Sequence, residues 1–242
     1  MPTKLLYLED MNKLNSPAQV VELLTENARE VIVLDQTIFY PQGGGQPFDQ
    51  GVIENNGNKF LVEEVRFIDG IVKHIGQYEN GRFVVGDNVV CEVNEPRRNL
   101  HSRLHSAGHV VDMAVLALGL NWIPGKGYHF PDGPYIEYAG NLDGTDKDLL
   151  KNQIETECQK LIVENRPTSL KFMPKEEMAA VCPHVPEFLP AGKPGRVVFY
   201  GSFGVPCGGT HVKQLGDIIK ITIRKIKMDG TNIRVAYDVK NT

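Results

Sequence analysis

The sequence predicts an α+β fold in which a small N-terminal β-barrel is followed by an α/β core with an antiparallel sheet. Three observations lead to this prediction. Short β-branched runs separated by Gly and Asn turns fill residues 1–95, apolar residues recur at helical spacing after Pro96, and strand-like alternation returns near the end. We therefore expect two domains, 1–95 and 96–242.

The barrel prediction rests on short strand candidates separated by turns such as Asn55-Asn56-Gly57 and Glu79-Asn80-Gly81. Many short strands with such turns are typical of a small barrel. Residues 42–47 contain too much Gly and Pro for the interior of a helix or strand, and we expect a loop there. The strand candidates lie at 31–34, 51–53, 60–65, 70–75 and 89–93.

Three helices are predicted after residue 95. The first spans 96–118, with Asn94 or Glu95 as its cap and Gly119 at its end. The second begins at Thr145 and stops before Pro167, because a proline disfavours helical geometry at the residue before it. A shorter helix follows Pro174.

The end of the chain returns to strand. The residues Ile219, Ile221 and Ile223 alternate with polar ones, which predicts a strand with one buried face and one basic face. Gly230-Thr231 is typical of a turn, and a second strand is expected at 233–239.

Composition limits the class of protein. Of 242 residues 41% are hydrophobic and 23% charged, and no apolar run approaches the roughly 18–20 residues that span a bilayer. The short apolar stretch at the N-terminus is not a signal peptide. The four cysteines are scattered, so we expect reduced thiols, a cytoplasmic location and no membrane partner. They are Cys91, Cys158, Cys182 and Cys207.

Charge is unevenly distributed. Residues 191–242 contain nine Lys or Arg against three Asp, a net charge of +6, which leaves −10 for residues 1–190 of a chain whose net charge is −4. This asymmetry indicates that the C-terminal part faces a polyanion, although a solvated basic sheet face explains it equally well.

The predicted first helix carries His101, His105 and His109 at intervals of four residues. Two imidazoles placed one turn apart can bind one metal ion. Zinc-protease helices place a Glu directly after the first His, but Ser102 or Ser106 occupies that position here, so a protease is disfavoured.

A second ligand pair lies far along the chain, where Cys207 and His211 stand four residues apart with two glycines between them. A thiolate combined with imidazoles suits Zn²⁺. One histidine pair from the helix and the Cys/His pair would supply four ligands to one ion.

These motifs resemble the alanyl-tRNA editing domains, which occur inside alanyl-tRNA synthetase and as free-standing proteins of the AlaX type. The resemblance covers about residues 5–239. It is carried by His105-Ser106-Ala107-Gly108-His109, Cys207-Gly208-Gly209-Thr210-His211, Asp35-Gln36-Thr37-Ile38-Phe39-Tyr40-Pro41 through Gly51, Gly125-Lys126-Gly127-Tyr128-His129-Phe130 and Phe203-Gly204-Val205-Pro206.

The resemblance implies a medium-sized free-standing member, since 242 residues leave no room for the synthetase's ATP-using and tRNA-recognition domains. It selects His105, His109, Cys207 and His211 as ligands of one zinc ion and leaves His101 as a neighbour. The implied activity is hydrolysis of the ester that joins serine, or secondly glycine, to tRNA(Ala). No DNA partner is implied, and the oligomeric state stays open.

The resemblance also suggests individual roles. Cys207 and Thr37 are the catalytic candidates, Thr37 as the residue that recognises the serine hydroxyl. The ion would either activate water or only organise the pocket, because four protein ligands describe a closed site. The candidates for substrate or tRNA contact are Gly43, Gly44, Gly45, Gln46, Lys126, Lys220 and Arg224. The embedded domains carry Gln near the position of Lys126, which puts that local contact in doubt.

Three alternatives remain. Gly44-Gly45-Gln46 has the GGQ sequence of peptide release factors, which would predict metal-independent ester hydrolysis. Threonyl-tRNA editing domains have a similar zinc core. A zinc-stabilised tRNA-binding module without hydrolase activity would keep the ligands and lack the chemistry.

Overall fold

A computed structural model describes residues 2–187, 189 and 194–240. It divides into two compact units, Met1–Leu100 and His101–Thr242. The α+β class is confirmed, because a closed barrel lies in the first unit and helices with antiparallel sheets lie in the second. Part of the basic C-terminal segment, Lys193 included, lies outside the described residues.

The first unit is built almost entirely from strands. Six of them close into an antiparallel barrel in the order β2-β3-β7-β6-β5-β8, and the two shortest, β1 and β4, pair in parallel. In chain order its elements are β1 (Lys4–Leu5), α1 (Leu6–Glu9), β2 (Asn15–Glu26), β3 (Arg29–Leu34), β4 (Gln36–Thr37), β5 (Gly51–Asn55), β6 (Asn58–Ile68), β7 (Ile71–Asn80) and β8 (Asn88–Val93).

The five strand candidates correspond to β3, β5, β6, β7 and β8, whereas β2 was not predicted. Its inward-facing side chains include Ser16 and Ala18, so the small and polar residues hide the alternation that marks a half-buried strand. Pro17 lies in the same strand and pairs with Val90. Proline within a run argues against a strand, which makes β2 harder still to recognise from the sequence.

The second unit mixes helices and sheets. A four-stranded antiparallel sheet has the order β14-β15-β10-β9, and a three-stranded one has the order β11-β12-β13. The elements are α2 (Glu95–Ala117), β9 (Ile123–Tyr128), β10 (Tyr135–Ala139), α3 (Lys147–Glu164), β11 (Thr168–Pro174), α4 (Lys175–Met178), β12 (Pro194–Tyr200), β13 (Phe203–Pro206), a 3-10 turn (Leu215–Ile218), β14 (Ile221–Asp229) and β15 (Asn232–Val239).

One hydrophobic core joins α2, α3 and the inner faces of these sheets. Apolar side chains of α2 such as Val110, Val111 and Ala114 are fully buried in it. Ile154 and Tyr237 belong to the same core, from α3 and β15. Burial of this apolar surface removes it from water and provides the main stabilisation of the unit. Among the described residues, no helix is long and apolar enough to cross a membrane.

Two predicted boundaries are wrong. Helix α3 is capped by Asp146 rather than Thr145, because the Asp146 carboxylate accepts the N–H groups of Asp148 and Leu149, each at 3.0 Å. Ile219 is not part of the buried strand face. It is 40% exposed with a φ of +72°, and β14 begins only at Ile221.

Candidate metal centre

Helix α2 supplies the first half of the centre. Asn94 caps it by accepting the Arg97 N–H at 3.0 Å. His105 and His109 lie one turn apart on the same helical face, and both are buried. His101, one turn earlier, is buried as well but does not belong to the cluster of possible ligands.

The turn after β13 supplies the second half. One guanidinium nitrogen of Arg196 donates hydrogen bonds to the carbonyl oxygens of Cys207 and Gly209, each at 2.8 Å. Arg196 is itself buried, so these hydrogen bonds are shielded from water. They hold the backbone on either side of Gly208 and fix the course of the turn that leads to His211.

Two hydroxyl groups of α2 tie the helix to this turn. Ser102 and Thr210 share a hydrogen bond of 2.7 Å between their side-chain oxygens. Ser106 Oγ accepts the backbone N–H of Val212 at 3.1 Å. Ser102 and Ser106, which replace the Glu of a protease motif, therefore hold helix α2 and the Cys207–His211 turn together.

The four side chains nominated by the motifs come together. The ligand atoms of His105, His109, Cys207 and His211 all lie within 4.8 Å of one another, and these side chains could hold one metal ion. His105 Nε2 is 3.4 Å from Cys207 Sγ, although the two residues are 102 positions apart in the chain. The three histidines are buried, whereas Cys207 is partly exposed as a residue.

Partners outside the cluster orient two of the imidazoles. His109 Nδ1 lies 3.3 Å from the Asp112 carboxylate, and His211 Nδ1 lies 2.8 Å from the Tyr200 hydroxyl. Within the described residues, Nε2 of each ring is buried without a hydrogen-bond partner. The second nitrogen of each ring therefore faces the cluster, which is the usual arrangement of a metal-binding histidine.

The local charges favour a thiolate. Burial by itself would raise the pKa of the Cys207 thiol, but His109 and the Gly209 N–H lower it below its usual value. Burial would lower the pKa of His109, while the Asp112 carboxylate and Cys207 raise it overall. Burial and the neighbouring imidazoles hold the pKa values of His105 and His211 well below normal, so these two rings are neutral. Neutral imidazole and thiolate are the forms that bind metals, so His109, whose raised pKa favours the protonated ring, would release a proton when a metal binds.

His129 borders the cluster without joining it. Its ring stacks on that of His105, with 4.4 Å between centroids and 20° between planes. Its Nδ1 lies 2.6 Å from the Tyr237 hydroxyl, which donates to the Leu104 carbonyl at 2.9 Å. Burial lowers the pKa of His129 to about 3, so the ring is a neutral wall beside His105.

The Gly-rich segment forms a tight hairpin turn in the first unit. Gly43 and Gln46 exchange backbone hydrogen bonds of 2.9 and 3.2 Å, and Gly44 and Gly45 both have positive φ, at +53° and +77°. Two central residues with positive φ are typical of a type I′ turn. The Gln46 side chain is fully buried, so it is not displayed in the way that the GGQ alternative requires.

Thr37 is buried at the end of the same segment. Its hydroxyl lies 2.8 Å from His74 Nε2 and accepts the Phe39 N–H at 3.0 Å. His74 Nδ1 lies 3.0 Å from the Ile32 carbonyl oxygen and must donate a hydrogen bond to it. His74 Nε2 therefore accepts a hydrogen bond from the Thr37 hydroxyl. The recognition of serine by Thr37 stays a prediction.

The three predicted basic contacts lie at different places in the second unit. Lys126 is exposed on β9, and Lys220 is exposed just before β14. Arg224 donates to the carbonyls of Tyr237 and Pro134 and pairs with Asp238 at 3.1 Å. Its guanidinium group is therefore engaged within the chain, which makes it the weakest of the three candidates for phosphate contact.

Several supporting residues were missed. Asp112 stands three residues after His109 on the helix, and that spacing was a usable signal. Tyr200 and Arg196 reach the centre from β12, and no local pattern announces them. In the first unit, Arg98 forms a buried ion pair with Asp49 and donates to the Ile38 carbonyl at 2.7 Å, which holds the segment that contains Thr37.

Comparison with known proteins adds an independent line of evidence. The family model of class II (A) tRNA synthetases matches residues 5–97. The alanine–tRNA ligase of Methanothrix thermoacetophila is 35% identical over 204 residues, which are 82% of this chain and 22% of that protein. The enzyme of Methanococcoides burtonii is 31% identical over 243 residues, 97% of this chain and 26% of that protein. The enzyme of Delftia acidovorans is 33% identical over 217 residues, which are 85% of this chain and 25% of that protein.

The matches extend beyond the barrel. The family model ends at residue 97, before the first metal-ligand candidate, but the match to the Methanococcoides burtonii enzyme covers nearly the whole chain. The chain spans about a quarter of the length of these curated relatives. The resemblance to alanyl-tRNA editing domains of the AlaX type is confirmed.

Proposed function

Since the chain is a relative of the alanyl-tRNA synthetases and resembles their AlaX-type editing domains, we propose that it is a hydrolase acting in trans on mischarged tRNA(Ala). Its substrate is Ser-tRNA(Ala), with Gly-tRNA(Ala) as the second candidate. A synthetase pocket built for alanine rejects glycine and serine poorly, so a second site that destroys the wrong product supplies the missing discrimination.

One observation carries the proposal. His105, His109, Cys207 and His211 come from two distant segments, yet their ligand atoms lie within 4.8 Å of one another. Three imidazoles and one thiolate are donors that suit Zn²⁺. The buried Nε2 atoms of His109 and His211, which have no partner among the described residues, fit this use. Bound zinc would supply Lewis-acid chemistry.

The side chains around the cluster have separate tasks. Asp112 and Tyr200 hold two imidazoles in the ligating orientation through their outer nitrogens. Arg196 and Ser106 hold the turn that carries Cys207 and His211. Cys207 is partly exposed as a residue, so we place the ester of the substrate at its side of the cluster.

The substrate preference is assigned to the first unit. Thr37 recognises the serine hydroxyl, and the hairpin turn of Gly43–Gln46 supports the segment in which Thr37 lies. With its proton held by His74, the Thr37 oxygen accepts hydrogen bonds, so serine would donate to it. A substrate without a hydroxyl leaves this interaction unmade.

The test is deacylation of Ser-tRNA(Ala) by zinc-loaded protein, with Ala-tRNA(Ala) and Ser-tRNA(Thr) as control substrates and Cys207→Ala as the variant. We expect rapid loss of serine from tRNA(Ala) only, and the substitution should abolish it. Release of serine from tRNA(Thr) instead would assign the chain to threonyl-type editing.

Two further outcomes would contradict the proposal. Zinc and tRNA binding without any hydrolysis would leave a zinc-stabilised RNA-binding module. Hydrolysis that survives both Cys207→Ala and a chelator would place the chemistry away from the metal centre, as the GGQ alternative requires.

A further inference from the structure

The outer face of the four-stranded sheet carries a column of stacked rings. Tyr128 stacks on Phe130, with 4.5 Å between centroids and 14° between planes, and on Tyr135, with 5.3 Å and 17°. The Arg234 guanidinium lies 4.0 Å from the Tyr135 centroid. The column therefore crosses from the edge strand β9 over β10 to β15.

This face of the sheet is only half-buried. The rings of Phe130, Tyr128 and Tyr135 remain partly exposed, whereas Ile136 and Tyr138, which alternate with Tyr135 along β10, are buried in the core. Three parallel aromatic rings at a surface keep apolar area in contact with water, and a flat apolar partner would relieve that cost. The column ends at Phe130, which stacks on Tyr128 alone among the described rings.

The column lies next to the candidate metal centre. His129 stands between Tyr128 and Phe130 in the sequence, and its ring is buried against His105 at 4.4 Å between centroids. Neighbouring residues of an extended segment point to opposite sides. The same three residues therefore present two rings to the surface and one to a proposed zinc ligand.

We propose that this aromatic column, Phe130-Tyr128-Tyr135 with Arg234 at its end, stacks an unpaired base of a single-stranded RNA 3′ end on its outermost ring, Phe130. Tyr128 is covered by Phe130 and Tyr135, and Tyr135 is also covered by Arg234, so the face of Phe130 turned away from Tyr128 is the one that a flat nucleobase can use. Stacking on such a ring does not select for sequence. The inference rests on the proposed function, because an ester at the 3′ end of tRNA has to reach the metal centre.

The charges around the column are mixed, with one free cation in the part of the chain that the structure describes. The Tyr128 hydroxyl donates to the Asp132 carboxylate at 3.1 Å. Lys126 is exposed on β9, two residues before Tyr128, and its side chain has no hydrogen bond or ion pair among the described residues. It is thus available for a phosphate. Arg234 is paired with Glu137 at 2.8 Å and with Asp229, so its contribution is a flat stacking surface and not a free charge.

The experiment measures binding of an uncharged, fluorescently labelled single-stranded RNA with the tRNA 3′-terminal sequence to the full chain. Anisotropy should give a Kd that rises about ten-fold or more for Phe130→Ala and for Tyr128→Ala. Phe130→Trp should retain binding. The matched control is Phe172→Ala on β11, a 44% exposed ring without a stacking partner among the described residues, which should bind as the wild type does.

A second pair of variants tests the lysine. Lys126→Gln should weaken binding and reduce the slope of log Kd against log salt concentration by about one. Lys171 is exposed on β11, and Lys171→Gln should change neither the affinity nor the slope. If hydrolysis is observed, Phe130→Ala should raise KM for aminoacyl-tRNA and leave kcat unchanged.

The column proposal is overturned if wild type binds no single-stranded RNA, if Phe130→Ala and Tyr128→Ala bind it normally, or if Phe172→Ala weakens binding equally. The assay separates the two proposals, since the RNA carries no ester. Column-dependent binding without deacylation would refute only the proposed function, whereas deacylation with unchanged Kd and KM in Phe130→Ala would refute only the column.

Discussion

Single residues outside the ligand set determine which histidine nitrogens face the cluster. The Asp112 carboxylate lies 3.3 Å from His109 Nδ1 and accepts a hydrogen bond from the Tyr138 hydroxyl at 2.7 Å, so its position is fixed from two sides. Its place in the chain, one helical turn after His109, could have been predicted. Tyr200 could not, because it reaches His211 from another strand.

Asp112→Asn keeps the shape of the side chain and removes its negative charge. We expect the affinity for zinc to fall by about 10- to 100-fold, since carboxylates behind ligating histidines have effects of that size. Competition with a chromophoric chelator measures the change. Asp143→Asn, in an exposed loop, is the matched control and should bind zinc normally. An unchanged affinity of the Asp112→Asn protein would refute this role.

Thr37 is the residue on which the predicted preference for serine depends. Thr37→Val removes the hydroxyl and keeps the volume, so we expect the rate of Ser-tRNA(Ala) deacylation to fall about 10- to 100-fold while zinc content is unchanged. Thr3→Val provides a control, because Thr3 is also buried in the first unit and its hydroxyl accepts the Val72 N–H at 3.1 Å. Equal losses in both variants would indicate a structural effect only.

At the scale of elements, the Gly-rich segment is defined by backbone geometry. The sequence predicted a loop from its Gly and Pro content, but a hairpin turn with two positive φ values follows only from the structure. Helix α2 and the strand alternation after residue 220 were predictable, since their apolar spacing is regular. Strand β2 was not, because its inward residues are small or polar.

The backbone geometry of this turn can be tested by substituting its own glycines. Gly45→Ala places an L-residue at a φ of +77° and should destabilise the protein by about 1 kcal/mol. Gly43→Ala is the matched control, because its added Cβ would meet no atom within 4 Å and Gly43 has no positive φ. Urea unfolding followed by circular dichroism compares the two. Similar midpoints would argue against a type I′ turn.

At the scale of the whole molecule, burial of neutral histidines links stability to pH. Burial lowers the pKa of His74 to about 4, against about 6.5 in an unfolded chain. Between these values the unfolded state binds a proton that the folded state does not. The stabilisation is therefore complete above pH 6.5 and is lost as the pH falls towards 4.

The wild type should accordingly lose up to about 3 kcal/mol more unfolding free energy than His74→Gln when the pH is lowered from 7.5 to 4. Denaturant unfolding at several pH values gives this difference. His184→Gln, which replaces an exposed histidine, is the matched control variant. Parallel pH profiles for wild type and His74→Gln would show that the pKa of His74 is the same in the folded and unfolded states.

The overall class and the two motifs that carry the candidate ligands were accessible from the sequence, because both depend on short-range spacing. The choice of His105 and His109 over His101 rested on the resemblance. The closure of the barrel, the strand order of the sheets and the approach of Cys207 to His105 depend on contacts across about a hundred residues, which no local pattern encodes. The pairing of the His105/His109 motif with the Cys207/His211 motif rests on the resemblance to editing domains and on the distances between the four side chains.

The most direct test of the account is zinc analysis of the purified chain together with X-ray absorption at the zinc edge. We predict one ion per chain, with three nitrogens at about 2.0–2.1 Å and one sulfur at about 2.3 Å. Cys207→Ala should remove the sulfur contribution. A chain that retains no zinc after loading, or zinc without a sulfur ligand, would contradict the assignment of His105, His109, Cys207 and His211 to one metal centre.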